Sequence, residues 1–366
     1  MSAVIAGSAA RTCHGGGQDT FTALLAGRCG VAPLRHRDRA DLKMTSGYHI
    51  DGACPAGLLT GCVREAVRQA GLDGRHRIMA IIGTGLGEQG RIEDWALTGR
   101  RFPARQLHFG DAIREAVPGV TEVITLSGAC SAGGHALALA QDLVEAEEAE
   151  AVVVAAVDTM TLSMLAMLGQ VVPEPAERIR PFDRNRRGAL LGDGAAAQVV
   201  VPESWRGHRL GRVVGTGLSC DAHHPTAPDV EGICRSMRDA FDRSGRAPAE
   251  VDLVVAHGTG TALNDPAECS ALRTVVLGAG GAPLVTAVKG AVGHTSGSAA
   301  LVGVDVALRC AAEGVVPPVT GLCDVLAEGE GLRFVLRRPA RLRPRLVQVD
   351  AFGFGGVNAV TLLERA

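Results

Sequence analysis

Leu126-Ser127-Gly128-Ala129-Cys130-Ser131-Ala132-Gly133-Gly134-His135 is the stretch on which the architecture turns. The apolar, β-like run Val123-Ile124-Thr125-Leu126 leads into it, and a helical run over about 131–148 leads out. A cysteine is thereby set between a strand and a helix N-terminus. The positive end of a helix dipole favours the thiolate, which is the nucleophilic form. The small residues on either side leave room for a substrate. Free cysteine is also among the most buried residue types, so an inert structural thiol is the competing reading until the rest of the chain is weighed.

Outward from this turn, apolar runs at 77–82, 151–157, 195–201, 251–256 and 284–288 read as buried strands. Amphipathic Ala/Leu-rich stretches at 59–70, 136–147, 232–243, 267–277 and 299–312 alternate with them, and Gly71 and Gly314 mark helix ends. Alternation of near-continuous apolar strands with helices predicts an α/β fold around largely buried sheets. No low-complexity linker divides the chain. A faint repeat does: Ile81-Ile82-Gly83-Thr84-Gly85 is echoed by Val255-Ala256-His257-Gly258-Thr259-Gly260. It predicts two duplicated α/β halves, 1–205 and 206–366, each sending a strand-to-helix turn toward one shared site. Gly215-Thr216-Gly217 is a third copy, so in a chain with 48 glycines the tripeptide alone is weak.

With 366 residues, 46% of them hydrophobic, the chain can bury a large core. A formal net charge of −2 points to neither nucleic acid nor membrane as partner. The opening 1–7 is apolar but lacks the basic start of a secretory signal, and no uncharged run reaches the ~18 residues that span a bilayer. The ten cysteines form no CxxC pair. The expectation is a soluble, reduced, cytoplasmic protein; the cysteine count excludes neither metal nor redox chemistry, but the spacings support neither. Of 37 Lys and Arg residues only Lys43 and Lys289 are lysine. A compact ammonium of tunable pKa does chemistry that arginine does not, so a lysine retained here draws notice.

Lys289 lies in Lys289-Gly290-Ala291-Val292-Gly293-His294-Thr295, directly after an apolar run, and His257 opens His257-Gly258-Thr259-Gly260-Thr261 after another. With Cys130 the chain offers a nucleophile, two proton or charge handlers and a cation. Phe352-Gly353-Phe354-Gly355-Gly356 near the end can present a backbone N–H where glycine permits close approach. Asp265 reads as a helix-start or turn partner, and Glu268 has a structural and a catalytic reading in equal measure. The paired His223-His224 of 219–226 lack a third ligand at metal spacing and read as loop residues.

Together these motifs resemble the β-ketoacyl synthases of fatty-acid and polyketide biosynthesis. The resemblance is carried, in order along the whole chain, by Gly128-Ala129-Cys130-Ser131-Ala132-Gly133, by Arg180-Pro181-Phe182-Asp183 through Leu191-Gly192-Asp193-Gly194, by His257-Gly258-Thr259-Gly260-Thr261 with Asn264, Asp265 and Glu268, by Lys289 through His294-Thr295, and by Phe352-Gly353-Phe354-Gly355-Gly356-Val357-Asn358. It implies a thiolase fold, two duplicated halves in a layered αβαβα sandwich, and a decarboxylative Claisen condensation. Cys130 would carry the acyl group. His257 and His294 would assist malonyl decarboxylation, and Lys289 would set their electrostatics. The backbone N–H groups of Cys130 and Phe354 would form the oxyanion hole, with Phe354 also a gate. Thr259 and Thr261 would hold the pantetheine arm, and Gly355 and Glu268 stand with them as substrate-binding positions. The implied partners are an acyl carrier protein and a second ketosynthase-like subunit, in a homodimer or heterodimer. No cofactor is implied beyond the carrier's phosphopantetheine. The chain departs from the family over 100–123 and 158–180, which are short, and at His135, read as structural. The short segments keep open an acyltransferase that forms another bond, and a chain-length-factor-like partner subunit, although the latter usually lacks the cysteine.

Overall fold

The computed structural model describes residues 3–35, 42–73, 75–172 and 174–366; Met1 and Ser2 of the apolar opening segment lie outside them. The main sheet has twelve strands among the described residues, two of them two-residue additions, and its ten principal ones are β1 (Ala3–Thr12), β2 (Ile78–Thr84), β3 (Glu122–Ser127), β4 (Ala151–Asp158), β5 (Gly194–Pro202), β6 (Gly211–Cys220), β7 (Leu253–Ala256), β8 (Leu284–Ala287), β9 (Leu346–Gly353) and β10 (Val357–Arg365). The first five run β1-β5-β4-β2-β3 and the last five β6-β10-β9-β7-β8, the same order twice. Pairing directions repeat too. β2 is parallel to β3 and β4, as β7 is to β8 and β9, while β5 and β10 are antiparallel to both their neighbours. β1 also pairs with the start of β6, which joins the two five-strand units into one continuous sheet. The change from one unit to the other falls between Pro202 and Gly211.

The principal helices are α1 (Gly17–Leu25), α2 (Pro55–Ala70), α3 (Ala132–Glu145), α4 (Val230–Ser244), α5 (Asn264–Leu272) and α6 (Ala299–Glu313). α3 and α6 touch each other and strands of both units, so they form the central layer; α2 covers the first unit and α4 the second. Five layers result, α-β-α-β-α. Small residues set the spacing. A Cβ on Gly7 of β1 would lie 2.1 Å from the Ala66 carbonyl oxygen of α2, and one on Gly217 of β6 would lie 2.1 Å from that of Ser236 in α4. Each outer helix thus rests on a strand glycine, at equivalent places in the two units.

The helices at 59–70, 136–147, 232–243 and 299–312 and all five expected strands are present with shifted ends. The run 267–277 is the exception: α5 ends at Leu272 and a π turn, Arg273–Leu277, continues it. α2 and α6 end on Gly71 (φ +71°) and Gly314 (φ +70°), in the left-handed region where glycine is cheapest. No helix among the described residues is long and apolar enough to cross a membrane.

Candidate active site

Cys130 sits where β3 gives way to a 3₁₀ turn, Ala129–Ser131, and then to α3. Ala129 adopts φ +49°, a left-handed conformation unusual for alanine, which aims the next residue out of the turn. Ser131 holds the bend: its hydroxyl donates to the carbonyls of Val357 (2.7 Å) and Gly128 (3.1 Å). Four residues on, a ring N–H of His135 donates back to the Ser131 carbonyl at 3.1 Å, a local role in the first turn of α3. The Cys130 sulfur meets the backbone N–H of Phe354 and its own N–H. The two expected oxyanion donors therefore converge on one point.

The helix dipole favours a thiolate at Cys130, and burial opposes it. Burial pushes the Cys130 thiol up to about 11, and Asp158 adds to the rise; Lys289 and the two N–H groups pull it back only in part. Two measurements follow. Alkylation of Cys130 by iodoacetamide should climb about tenfold per pH unit between pH 7 and 9 with no plateau, since thiolate is the reactive form. Lys289→Met removes the cation that lowers the thiol, so alkylation at pH 8 should slow further. A plateau below pH 8 in the unmodified protein would show a thiolate already formed.

The second unit supplies the histidines. β7 ends at Ala256, and Glu268 of α5 clasps the turn that follows, accepting the N–H of His257 (2.6 Å) and of Gly258 (2.8 Å). Lys289, only 3% exposed and two residues beyond β8, donates to the His257 carbonyl (2.5 Å) and reaches its Nδ1 (3.1 Å). An ammonium at Nδ1 makes that nitrogen the acceptor, so the ring proton of a neutral His257 is on Nε2. His294 Nδ1 accepts the Ser296 N–H at 3.2 Å, which likewise leaves its proton on Nε2. The rings stand edge to face, 5.4 Å between centroids and 84° apart. Both imidazoles titrate well below the ordinary histidine value, first because they are buried and then because Lys289 is near. The result is two neutral N–H donors side by side. Burial lowers Lys289 itself to about 8 against the pull of Glu268 and its other anionic neighbours.

Asp265 is fully buried and accepts the backbone N–H groups of Phe182 (2.7 Å), Thr259 (3.1 Å) and Gly260 (3.1 Å). It ties the Arg180-Pro181-Phe182 segment to the histidine turn, the structural role read from the sequence. Asp265→Ala strands those donors and should cost about 3 kcal/mol or more in urea unfolding; a loss below about 1 kcal/mol would show that water or a shift of the turn replaces the carboxylate. Glu268 requires a correction. It was expected among the substrate-binding positions, but it is fully buried and its oxygens are taken by two backbone N–H groups and by Asn264 Nδ2 at 3.2 Å. It positions the turn and does not face a substrate. Thr259 and Thr261 stand at the turn with their hydroxyls 2.9 Å apart.

Phe354 is 39% exposed, on a loop whose Gly355 and Gly356 take φ +85° and +76°. The 219–226 loop braces it: the Gly355 N–H donates to the Pro225 carbonyl (2.8 Å) and the Asp221 N–H to that of Gly356 (3.0 Å). His224 Nδ1 accepts the N–H groups of Thr226 and Ala227, so this histidine shapes its own loop. No group of three or more His, Cys, Asp or Glu among the described residues is disposed to hold a metal ion. Lys43, the other lysine, donates to the Val172 carbonyl, remote in role from this constellation.

Sequence reasoning passed over three supports of the site. Asp158, buried at the end of β4, accepts the N–H groups of Gly85 (2.8 Å) and Gly297 (2.7 Å) and the Thr84 hydroxyl (2.9 Å), bridging the two halves. Tyr48, the single tyrosine, is fully buried; its hydroxyl donates to the Gly290 carbonyl, and its ring leaves no room for a Cβ on Gly293, between Lys289 and His294. A lone tyrosine in a chain with 3% aromatics was a usable signal. Asp350 is the third.

Family models agree with this geometry. The β-ketoacyl synthase N-terminal domain matches residues 56–206 and the C-terminal domain residues 210–322. The chain is 31% identical to nodulation protein E of Rhizobium meliloti over 82% of its own length and 80% of that protein's. It is 26% identical to 3-oxoacyl-[acyl-carrier-protein] synthase 2 of Coxiella burnetii, over 95% and 94%. Among solved structures, the ishigamide ketosynthase/chain length factor superposes with a TM-score of 0.89 at 28% identity, covering 100% of this chain and 99% of that one. The chain belongs to the β-ketoacyl synthase family. It has the thiolase fold of that family and is an enzyme of the acyltransferase class.

Proposed function

We propose that the protein condenses a Cys130-bound acyl chain with a malonyl thioester, with loss of CO₂, in fatty-acid or polyketide synthesis. The observation that carries this reading is the pair of neutral Nε2–H donors of His257 and His294 in the same site as a cysteine held by two backbone N–H groups. Cys130 exchanges its thiol proton for the acyl group of a carrier thioester, releasing the carrier thiol. The malonyl thioester then loses CO₂, and the negative charge that builds on its carbonyl oxygen is met by the two imidazole N–H groups in a site that holds little water. The enolate carbon attacks the acyl-Cys130 carbonyl, whose oxygen lies against the N–H groups of Cys130 and Phe354. Sulfur departs and the β-ketoacyl thioester is complete. Every group in this sequence belongs to the chain or its thioester substrates, so the reaction asks for no cofactor beyond the carrier's phosphopantetheine. Thr259, Thr261 and Gly355 line the approach that such an arm would take. Incubation with acyl and malonyl carrier proteins should give acyl-Cys130 by intact-protein mass and then a product two carbons longer with release of CO₂. Product formed without loss of CO₂ rejects the reading.

The carrier protein is acidic, and exposed arginines offer it two landing areas: Arg100, Arg101 and Arg105, and Arg337, Arg338, Arg341, Arg343 and Arg345. Charge reversal in the productive cluster should raise the KM for carrier protein several-fold with kcat little changed; an unchanged KM removes that cluster. β3, at one end of the strand order, leaves an edge open to a second ketosynthase-like subunit, identical or not. A cytoplasmic location suits ten free cysteines, one of them the nucleophile.

A further inference from the structure

We propose that Asp350 is a positioning residue that holds one proton in common with Glu268, so that the two buried carboxyls together set a single negative charge against Lys289. Nothing in the function above uses Asp350. It lies on β9, the strand next to β7, and is 3% exposed. Its Oδ1 accepts Gln348 Nε2 at 2.8 Å, while its Oδ2 is buried with no donor. A buried carboxylate oxygen without a donor is costly, and such atoms are rare in folded proteins.

The geometry supplies the missing donor only if a proton is present. Asp350 lies within hydrogen-bonding reach of Glu268, and two acceptor-only carboxylates cannot satisfy one another without one. The groups facing the pair are Lys289 from the turn after β8, His257 from the turn after β7, and Asp265 and Asn264 from α5, with Gln348 on β9 itself. One cation therefore faces two adjacent carboxyls, with Asp265 beyond them given over to backbone N–H groups, and one shared proton relieves the excess negative charge of the pair. Burial raises both, Glu268 to about 8 with the charge of Asp350 adding to the rise, and Asp350 to about 7 against the hydrogen bonds from Gln348 and Glu268 and the pull of Lys289.

The consequence reaches the reacting oxygen through Lys289 and His257. Glu268 grips the backbone of His257, and Lys289 bonds its Nδ1 and carbonyl. While the proton is shared, the pair sets one negative charge against Lys289 behind His257. When it leaves, a second negative charge stands behind the imidazole that must donate to an enolate.

This inference rests on the proposed decarboxylation for its kinetic effect but not for its test. Infrared spectra of the resting protein at pH 6.5 should show the carbonyl band of a protonated carboxylic acid that disappears between pH 6 and 9. Asp350→Asn should lose that component. Asp158, raised to about 6, contributes at lower pH and equally in both proteins. In parallel, malonyl thioester decarboxylation should fall about threefold from pH 7.5 to 8.5 in the unmodified protein, as expected for a shared proton lost at the upper value of the pair, about 8, and less than about twofold in Asp350→Asn. If the variant does not fold, the titration of the unmodified protein decides. Absence of a protonated-carboxyl band vanishing between pH 6 and 9, or its survival unchanged in Asp350→Asn, overturns the proposal. A band that behaves as stated in a protein that does not decarboxylate malonyl thioesters upholds the shared proton and rejects the functional reading instead.

Discussion

Cys130→Ala should form no acyl adduct and lose condensation by on the order of 10⁴-fold or more, because no other group can take the acyl chain. The structure allows a sharper statement. The enolate oxygen is met by His257 and His294, and neither imidazole is held by the sulfur. Malonyl decarboxylation should therefore persist in the variant while condensation disappears. Product analysis by mass spectrometry alongside CO₂ release separates the two. If both activities vanish together in a folded protein, the sulfur takes part in the decarboxylation itself. If condensation survives, Cys130 is not the nucleophile.

The second large effect belongs to the histidines. Removing one oxyanion-type donor typically costs about 10²–10³ in rate. His257→Ala and His294→Ala should each lower malonyl decarboxylation by that amount, with acylation of Cys130 affected far less. The double variant should fall short of the product of the two losses, since residues that act as a unit are not additive. His294→Gln retains an N–H donor on a side chain of comparable reach and should recover part of the rate. Equal loss of acylation and decarboxylation in either single variant would show that the histidine serves the thiol instead of the enolate. The neutral state adds a pH signature. Both rings titrate well below the ordinary histidine value, so no histidine limb should appear in the rate between pH 6 and 7.

Much of the site was legible because its chemistry is written locally. Cys130, His257, Lys289 and His294 each follow an apolar strand within a few residues, and the structure brings them together. What escaped was set by distant packing. β1 reads poorly as a strand because Ala, Gly and Ser dominate it, and those residues are small because α2 lies against its backbone at Gly7. β6 hides for the same reason at Gly215 and Gly217 beneath α4. The burial that opposes the Cys130 thiolate was not legible, because local sequence displays the helix start but not the protein packed around the sulfur. Glu268 and Asp350 lie 82 positions apart by number, and only the adjacency of β7 and β9 makes them neighbours.

The strand that joins the two units also governs how the molecule is assembled. β1 is made well before its partners, β5 (Gly194–Pro202) and the beginning of β6, so its edge waits for some two hundred residues of synthesis. The oxyanion donor at Phe354 comes later still, and the Ser131 hydroxyl bonds to Val357 just beyond it. A nascent or truncated chain can therefore display the cysteine but not the hole that serves it. Catalytic competence arrives with β10, so a population of chains that stop short of it would be reactive toward alkylating agents and silent as an enzyme.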